Sequence, residues 1–377
     1  MRIGIEAQRL FRRKKHGMDI VALELIRSLQ QIDKKNQYFI FVKPDEDVKI
    51  IHESANFQIV CINGGPYPYW EQVLLPKEIK KYDLDLLHCT SNTAPLNTNV
   101  PLIVTLHDII YLEQWNFTKG TGYQIIGNLY RRWNVPRMVR KAKKLITVSA
   151  YEKGNIDNYF GFTGDKVVAI HNGVGETFQK ISDPATLERV KRKYKLPDRY
   201  VFYLGNTDPR KNLHGVLKAM SLLKKENQLD FLLQMLDIEP DFLKKSADHI
   251  GDPAILDYIG VCGYVPEADL PAIFSMAELF LFPSLREGFG IPVLEAMRAQ
   301  VPVITSSISS MPEVAGGAAL LINPHEPEEI AKAIKLVMND TTLRNDLVRR
   351  GVNRSHEFTW NNMAERYLQV YSQTIGS

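Results

Sequence analysis

The chain has 377 residues, 45% of them hydrophobic, and a formal net charge of +4. That content suits two domains of ordinary size, each with its own core, and its longest apolar runs, such as 279–282, are strand-sized, which excludes a membrane-spanning helix. Cys61, Cys89 and Cys262 are odd in number and far apart, so reduced core thiols are expected and neither a disulfide framework nor a zinc ribbon is.

In chain order, residues 2–6, 38–42, 58–62, 85–88, 102–106, 144–148 and 166–170 read as short strands rich in β-branched and aromatic residues. Apolar residues spaced for helices fall between several of them, as at 20–32 and 70–79. Because a strand already begins at Arg2, no signal peptide is expected ahead of it and the chain is assigned to the cytoplasm. A second series follows, with strands at 200–204, 231–235, 255–259, 279–282, 301–305 and 319–322 and helices such as 212–224 and 328–338. Such alternation predicts parallel, doubly wound sheets. The stretch 178–197 is charged and lacks a strand pattern, so it divides a first domain, 1–177, from a second, 198–357, and a last helix lies in 358–377.

Charge is uneven along this layout. Through Thr177 there are 24 Lys and Arg against 18 Asp and Glu, and after it 23 against 25. Much of the excess lies in Arg131, Arg132, Arg137, Arg140, Lys141, Lys143 and Lys144, interleaved with Leu129, Tyr130, Trp133 and Val139. This reads as a solvated helix face or as a basic face for anionic lipid headgroups. Nucleic acid is not an expected partner, since no recognised module accompanies the charge. Asn116-Phe-Thr118 and Asn353-Arg-Ser355 spell the glycosylation acceptor pattern, without consequence in a chain that is not exported.

The densest chemistry lies in 284–297, Ser-Leu-Arg-Glu-Gly-Phe-Gly-Ile-Pro-Val-Leu-Glu-Ala-Met. Gly288 and Gly290 let backbone approach a ligand, and Pro292 suits the first turn of a helix. The helix-start amides would face a phosphate, and Glu295, one turn in, can accept two ribose hydroxyls. The helix dipole alone would also select Glu295, but it accounts for neither Glu287 nor the glycines. Residues just after strands have priority in doubly wound sheets, which singles out His107, Asp108 and Gly205. Arg210 and Lys211 follow a turn-rich stretch where two cations can meet two phosphates. Asp83-Leu-Asp85 spells a metal-binding D-x-D pattern but leads straight into a strand, so no metal and no cofactor are expected.

The Glu287 to Glu295 segment resembles the Glu-x7-Glu signature of retaining glycosyltransferases of family 4. Gly17 before an apolar helix, Thr105-Leu-His107-Asp108, 146–149, Asn172-Gly173-Val174, Leu204-Gly205 with Arg210-Lys211, Gly263-Tyr264-Val265 and Met311-Pro312-Glu313 occur in that family's order. The resemblance implies an α/β GT-B fold, two doubly wound Rossmann-like domains facing a central cleft, with the last helix crossing back to the first domain. It implies catalytic roles for His107, Glu287, Arg210 and Lys211, donor binding by Gly17, Gly205, Gly263, Tyr264, Gly288, Phe289, Gly290 and Glu295, and an acceptor-side place for Asp108. The expected partners are a nucleotide sugar and a glycan or lipid-linked acceptor in cell-surface polysaccharide assembly. Trp70-Glu-Gln72 with Leu75-Pro76 resembles bacterial mannosyltransferases, which favours GDP-mannose with a UDP-sugar close behind. A non-hydrolysing UDP-N-acetylglucosamine 2-epimerase and a non-catalytic sugar- or lipid-binding scaffold are the alternatives.

Overall fold

The computed structural model describes residues 1–113 and 122–376; the acceptor pattern at Asn116 lies outside the described residues. The chain divides into two units, Met1–Gly173 with Trp360–Ser377, and Val174–Thr359.

The first unit is built on seven strands: β1 (Arg2–Glu6), β2 (Gln37–Val42), β3 (Phe57–Cys61), β4 (Leu86–Cys89), β5 (Leu102–Thr105), β6 (Lys144–Thr147) and β7 (Val167–Ala169). Their order is β3-β2-β1-β4-β5-β6-β7, all parallel. Near-continuous apolar runs such as Tyr38 to Val42 fit strands covered by helices on both faces. Strand order reverses between β1 and β4, where Glu6 stands opposite Cys89. The C-terminal helix Trp360–Ile375 packs on the helix Gly17–Ile32 and reaches the sheet. Its Tyr371 hydroxyl lies 2.8 Å from His88 Nδ1, and its Tyr367 hydroxyl 3.1 Å from Thr105 Oγ1. The helix that starts at Tyr67 widens into a π-turn over Trp70–Leu74 before continuing as Leu75–Ile79. Pro76 has no N–H for an i−4 bond and its ring crowds that carbonyl, which favours the wider turn just before it.

The second unit holds β8 (Tyr200–Tyr203), β9 (Leu232–Leu236), β10 (Ile259–Cys262), β11 (Leu279–Phe282), β12 (Val303–Ser306) and β13 (Leu320–Ile322), parallel and ordered β10-β9-β8-β11-β12-β13. Here the order reverses between β8 and β11. The stretch 178–197 carries a helix of its own, Pro184–Tyr194, capped by Asp183. Asp269 accepts from Arg189, Lys193 and Tyr194 of this helix at 2.7–2.9 Å.

Two expectations are corrected. Residues 255–258 lie in a 3-10 helix, Pro253–Tyr258, and the strand begins only at Ile259; Pro253 starts the turn, and Ile255 is buried from it instead of from a strand. Cys89 and Cys262 are buried free thiols, but Cys61 is exposed at the end of β3, because alternation along that edge strand turns it outward.

Candidate functional site

Ligands of doubly wound sheets gather at the carboxyl ends of strands where the order reverses, and in the second unit that place lies between the loops after β8 and β11. Hydrogen bonds join the two loops. Leu285 N–H donates to the Arg210 carbonyl at 2.7 Å. The Asn212 amide donates to the carbonyls of Pro283 (3.1 Å) and Pro324 (2.6 Å), and Asn212 itself sits at φ +64°, a conformation Asn tolerates better than most residues. Tyr203, buried in β8, donates its hydroxyl to the Lys211 carbonyl at 2.7 Å.

On this frame Lys211 and Glu287 meet: Nζ lies 2.6 Å from Glu287 Oε1 and 4.7 Å above the Phe282 ring. Both side chains are largely shielded from solvent, so the pair is screened less than a surface ion pair. Arg210 points at a different partner. Asp208 caps the turn Pro209–Lys211, accepting the Arg210 amide at 3.0 Å, and its carboxylate also takes the Arg210 guanidinium at 2.6 Å. Burial raises the Asp208 pKa, but the Arg210 hydrogen bonds and charge outweigh it and hold the carboxyl below its usual range.

The Glu287 backbone is fixed by residues with no sequence signal strong enough to single them out. Its N–H donates to Ser309 Oγ at 2.9 Å, and Ser309 Oγ donates back to its carbonyl at 2.8 Å. Ser310 Oγ lies 2.8 Å from the Phe289 carbonyl and 3.1 Å from that of Glu287. The available clue was their place directly before Met311-Pro312-Glu313.

The glycines separate by cause. Gly290, at φ +112°, starts the helix Ile291–Arg298, and a Cβ there would stand 2.4 Å from Met311 Cε. A Cβ on Gly205 would stand 2.3 Å from the Tyr203 ring, whereas one on Gly263 or Gly17 would meet nothing within 4 Å. At those two positions the space beside the backbone is open. Gly288 lies in the loop between Glu287 and Gly290, Tyr264 is exposed, and Phe289 is buried with its ring centroid 5.8 Å from that of Phe358. Glu295 stands on the helix that Gly290 starts, with Pro292 in its first turn. Burial, then the charge of Glu267, pushes its carboxyl up to about 8.

In the first unit, His107 follows β5. Its amide donates to Asn92 Oδ1 at 2.7 Å, and its Nε2 lies 2.9 Å from the Thr90 carbonyl. A carbonyl only accepts, so Nε2 carries the proton and Nδ1 is the acceptor. Burial lowers the His107 pKa, opposed by the Thr90 hydrogen bond and the charges of Asp108 and Asp19. Asp19 lies in the first turn of the helix that starts at Gly17. Asp108 Oδ1 accepts the Ile110 amide at 3.1 Å at the start of Ile110–Glu113.

Among the described residues, no three or more His, Cys, Asp or Glu are grouped to hold a metal ion. Asp85 accepts the Arg2 amide at 2.7 Å, a strand-edge role. No described helix is long and apolar enough to cross a membrane.

Two family models match this chain: one described as Glycosyltransferase Family 4 over residues 15–177, and one described as Glycosyl transferases group 1 over residues 186–354. The O-antigen chain mannosyltransferase B of Escherichia coli is 31% identical over 64% of this chain and 64% of its own length. The serotype-specific mannosyltransferase WbdA of Escherichia coli is 30% identical over 63% of this chain and 29% of its own. The chain thus spans less than two thirds of these relatives. Among solved structures, a glycosyltransferase from Rickettsia africae covers 99% of this chain and 98% of its own at TM-score 0.75 and 20% identity. Anabaena HepE in complex with UDP-glucose covers 99% and 100% at TM-score 0.76 and 18% identity. Matched in order along both units and sharing this two-sheet architecture, the chain belongs to family 4 of the GT-B glycosyltransferases.

Proposed function

We propose that this protein transfers a hexosyl unit, with retention at the anomeric carbon, from a nucleoside-diphosphate sugar to a hydroxyl of a glycan or lipid-linked acceptor in cell-surface polysaccharide assembly. The observation that carries this reading is the shielded Lys211–Glu287 pair, 2.6 Å apart where the strand order of the second sheet reverses. Lys211, with Arg210 beside it, supplies positive charge where negative charge grows on the departing phosphate. Glu287 is then placed for hydroxyls of the donor sugar, and Glu295 for the ribose. With Glu287 so used, no carboxylate is assigned as nucleophile for two successive displacements. A same-face reaction fits better, in which the departing phosphate receives the acceptor proton and the enzyme supplies position and field. His107 is assigned as a neutral hydrogen-bonding group, and Asp108 stays on the acceptor side. The mannosyltransferase relatives favour GDP-mannose as donor; UDP-glucose in Anabaena HepE supports a UDP-sugar as the competitor. Thermal shifts against GDP, UDP, dTDP and ADP sugars test both, since stabilisation follows ligand concentration over dissociation constant. No shift with any of them would overturn the donor class.

Glu295→Ala is expected to weaken donor binding by roughly 1.5–3 kcal/mol without unfolding the protein, as one charge-assisted contact is lost. The contact requires the carboxylate, whose pKa stands at about 8. Donor affinity should therefore rise between pH 6.5 and 8.5 in the parent protein and stay flat in the variant. Calorimetry that finds equal affinities, or the same pH slope in both, removes the ribose assignment.

The basic helix Gly122–Lys141 is proposed to rest on anionic lipid. Ile126, Leu129 and Trp133, spaced three and four residues apart, are exposed on it, and the Arg137 guanidinium stacks 5.3 Å from the Trp133 ring. Binding to phosphatidylglycerol vesicles should fall steeply with salt and on neutralising Arg131, Arg132, Arg137 and Arg140. Absent or salt-independent binding would leave the helix a solvated face.

A further inference from the structure

Trp70-Glu71-Gln72, where the helix of the first unit widens into its π-turn, has no part in the donor chemistry, yet it carries a fully buried carboxylate. Glu71 Oε1 accepts from the hydroxyls of Tyr67 at 2.8 Å and Thr93 at 2.6 Å, and Oε2 from the Gln72 amide at 2.9 Å and the Tyr130 hydroxyl. Burial raises the Glu71 pKa, opposed by those four hydrogen bonds. An apolar side chain would fill the same space at less cost, so the carboxylate is explained by what it gathers. Three segments meet on it: the π-turn helix through Tyr67 and Gln72, the loop after β4 through Thr93, and the basic helix Gly122–Lys141 through Tyr130. A polar network whose members are all satisfied fixes one arrangement of its segments.

The next residue of the β4 loop is pinned in the same way. The Ala94 carbonyl accepts from the Gln72 amide at 3.0 Å and the Asn134 amide at 2.9 Å, and the Ala94 N–H donates to Asn134 Oδ1 at 3.3 Å. Gln72 Oε1 in turn accepts the Leu96 amide at 2.9 Å.

This loop is the one that holds His107. The Thr90 carbonyl accepts from Nε2, which sets the tautomer, and Asn92 Oδ1 accepts the His107 amide. Asn92 itself stands at φ +67°, a left-handed conformation that persists where the surroundings hold it. Its N–H donates to the Thr105 carbonyl at 3.1 Å, and Thr93 follows it directly. The Thr93 hydroxyl on Glu71 is therefore one peptide away from a contact that places His107. Distances of this size matter, since misplacing a reacting group by about 1 Å can cost on the order of 10²-fold in rate, and π-turns recur at functional sites.

We propose that Glu71 is a positioning residue, which fixes the 90–94 loop through Thr93 and Gln72 and thereby sets the place and tautomer of His107. This rests on the transferase reading, which gives His107 its task.

The test uses the full chain and two readouts. Nucleoside diphosphate released from GDP-mannose and UDP-glucose gives turnover with water taking the sugar, and NMR of the protein labelled with ¹⁵N-histidine gives the ring signals of His107, assigned by their loss in His107→Asn. Glu71→Gln keeps the shape of the side chain but turns one acceptor into a donor, and Thr93→Val removes only the hydroxyl that joins the loop to Glu71. Each should lower turnover about tenfold or more with donor KM unchanged, and the double variant should fall little further than the worse single one. In both, the His107 signals should move away from the parent's pattern of one protonated and one bare nitrogen. Tyr38→Phe removes a buried hydroxyl of the same kind, 2.6 Å from Asp33 in the same unit, and should lower stability while leaving turnover and His107 unchanged. Thr93→Val covers the case in which Glu71→Gln fails to fold. Variants that lose stability but keep parental turnover, lose turnover with the His107 signals unmoved, or lose no more turnover than Tyr38→Phe each overturn the assignment. If the parent releases nucleoside diphosphate from neither sugar, the transferase reading is what fails, and the His107 signals alone then decide whether Glu71 positions the ring.

Discussion

Lys211→Ala is expected to lower the transfer turnover number about 100-fold or more while changing donor affinity much less. Preorganised donors aimed at developing charge contribute on the order of 10²–10³ in rate when removed singly, and the ammonium is held by two contacts while its backbone is anchored by a third. Glu287 lies 2.6 Å away, the Phe282 ring lies below, and the Lys211 carbonyl is anchored by Tyr203. The substitution also leaves Glu287 without its cation, which adds repulsion toward the phosphates. Arg210→Ala should cost less, about tenfold, because Arg210 and its partner Asp208 are more exposed than Lys211 and Glu287 and their charges are screened more. The order Lys211 before Arg210 is therefore a result of the pairing geometry and could not be read from two adjacent cations. Steady-state release of nucleoside diphosphate, with and without EDTA, measures it. Full turnover with raised KM in both variants would remove the leaving-group role, and activity lost in EDTA and restored by manganese would move that role to a metal.

How much was legible follows from the range of each signal. Apolar runs and turn residues located twelve of the thirteen strands among the described residues within one or two residues, since both are local. Residues 255–259 failed because a short apolar run after a proline does not distinguish a strand from a buried turn. The loop that opens a helix at Gly290 was legible because a glycine-broken run ahead of a helical period is itself a local pattern. What was not legible depends on distant partners: Lys211 meets Glu287 across 76 positions, and Thr93 meets Glu71 across 22. His88 shows the same dependence: one hydroxyl that meets it belongs to Thr105, 17 positions away, and the other to Tyr371 of the C-terminal helix, 283 positions away.

That histidine carries the second large effect, on stability. His88 is fully buried, with Nε2 2.8 Å from Thr105 Oγ1 and Nδ1 2.8 Å from the Tyr371 hydroxyl. Burial, then the neighbouring His107, drives its pKa from 6.5 to about 3. The folded unit therefore holds a neutral ring that the unfolded chain protonates below about pH 6.5. The contribution is whole above that value and lost as pH falls toward 3, at about 2 kcal/mol by pH 5. His88→Gln should destabilise the first unit at pH 7.5 by about 2 kcal/mol, since a buried hydrogen-bonded bridge to the last helix is disturbed. Because glutamine does not titrate, the gap between variant and parent should nearly close by pH 5. Tryptophan fluorescence reports the right transition: among the described residues, Trp70, Trp133 and Trp360 belong to the first unit and the second has no tryptophan. Urea unfolding followed by that signal at the two pH values gives both gaps. A gap that stays constant from pH 7.5 to 5 would mean that His88 takes up its proton as readily in the folded protein as in the unfolded chain, and the buried neutral bridge to Tyr371 would have to be abandoned.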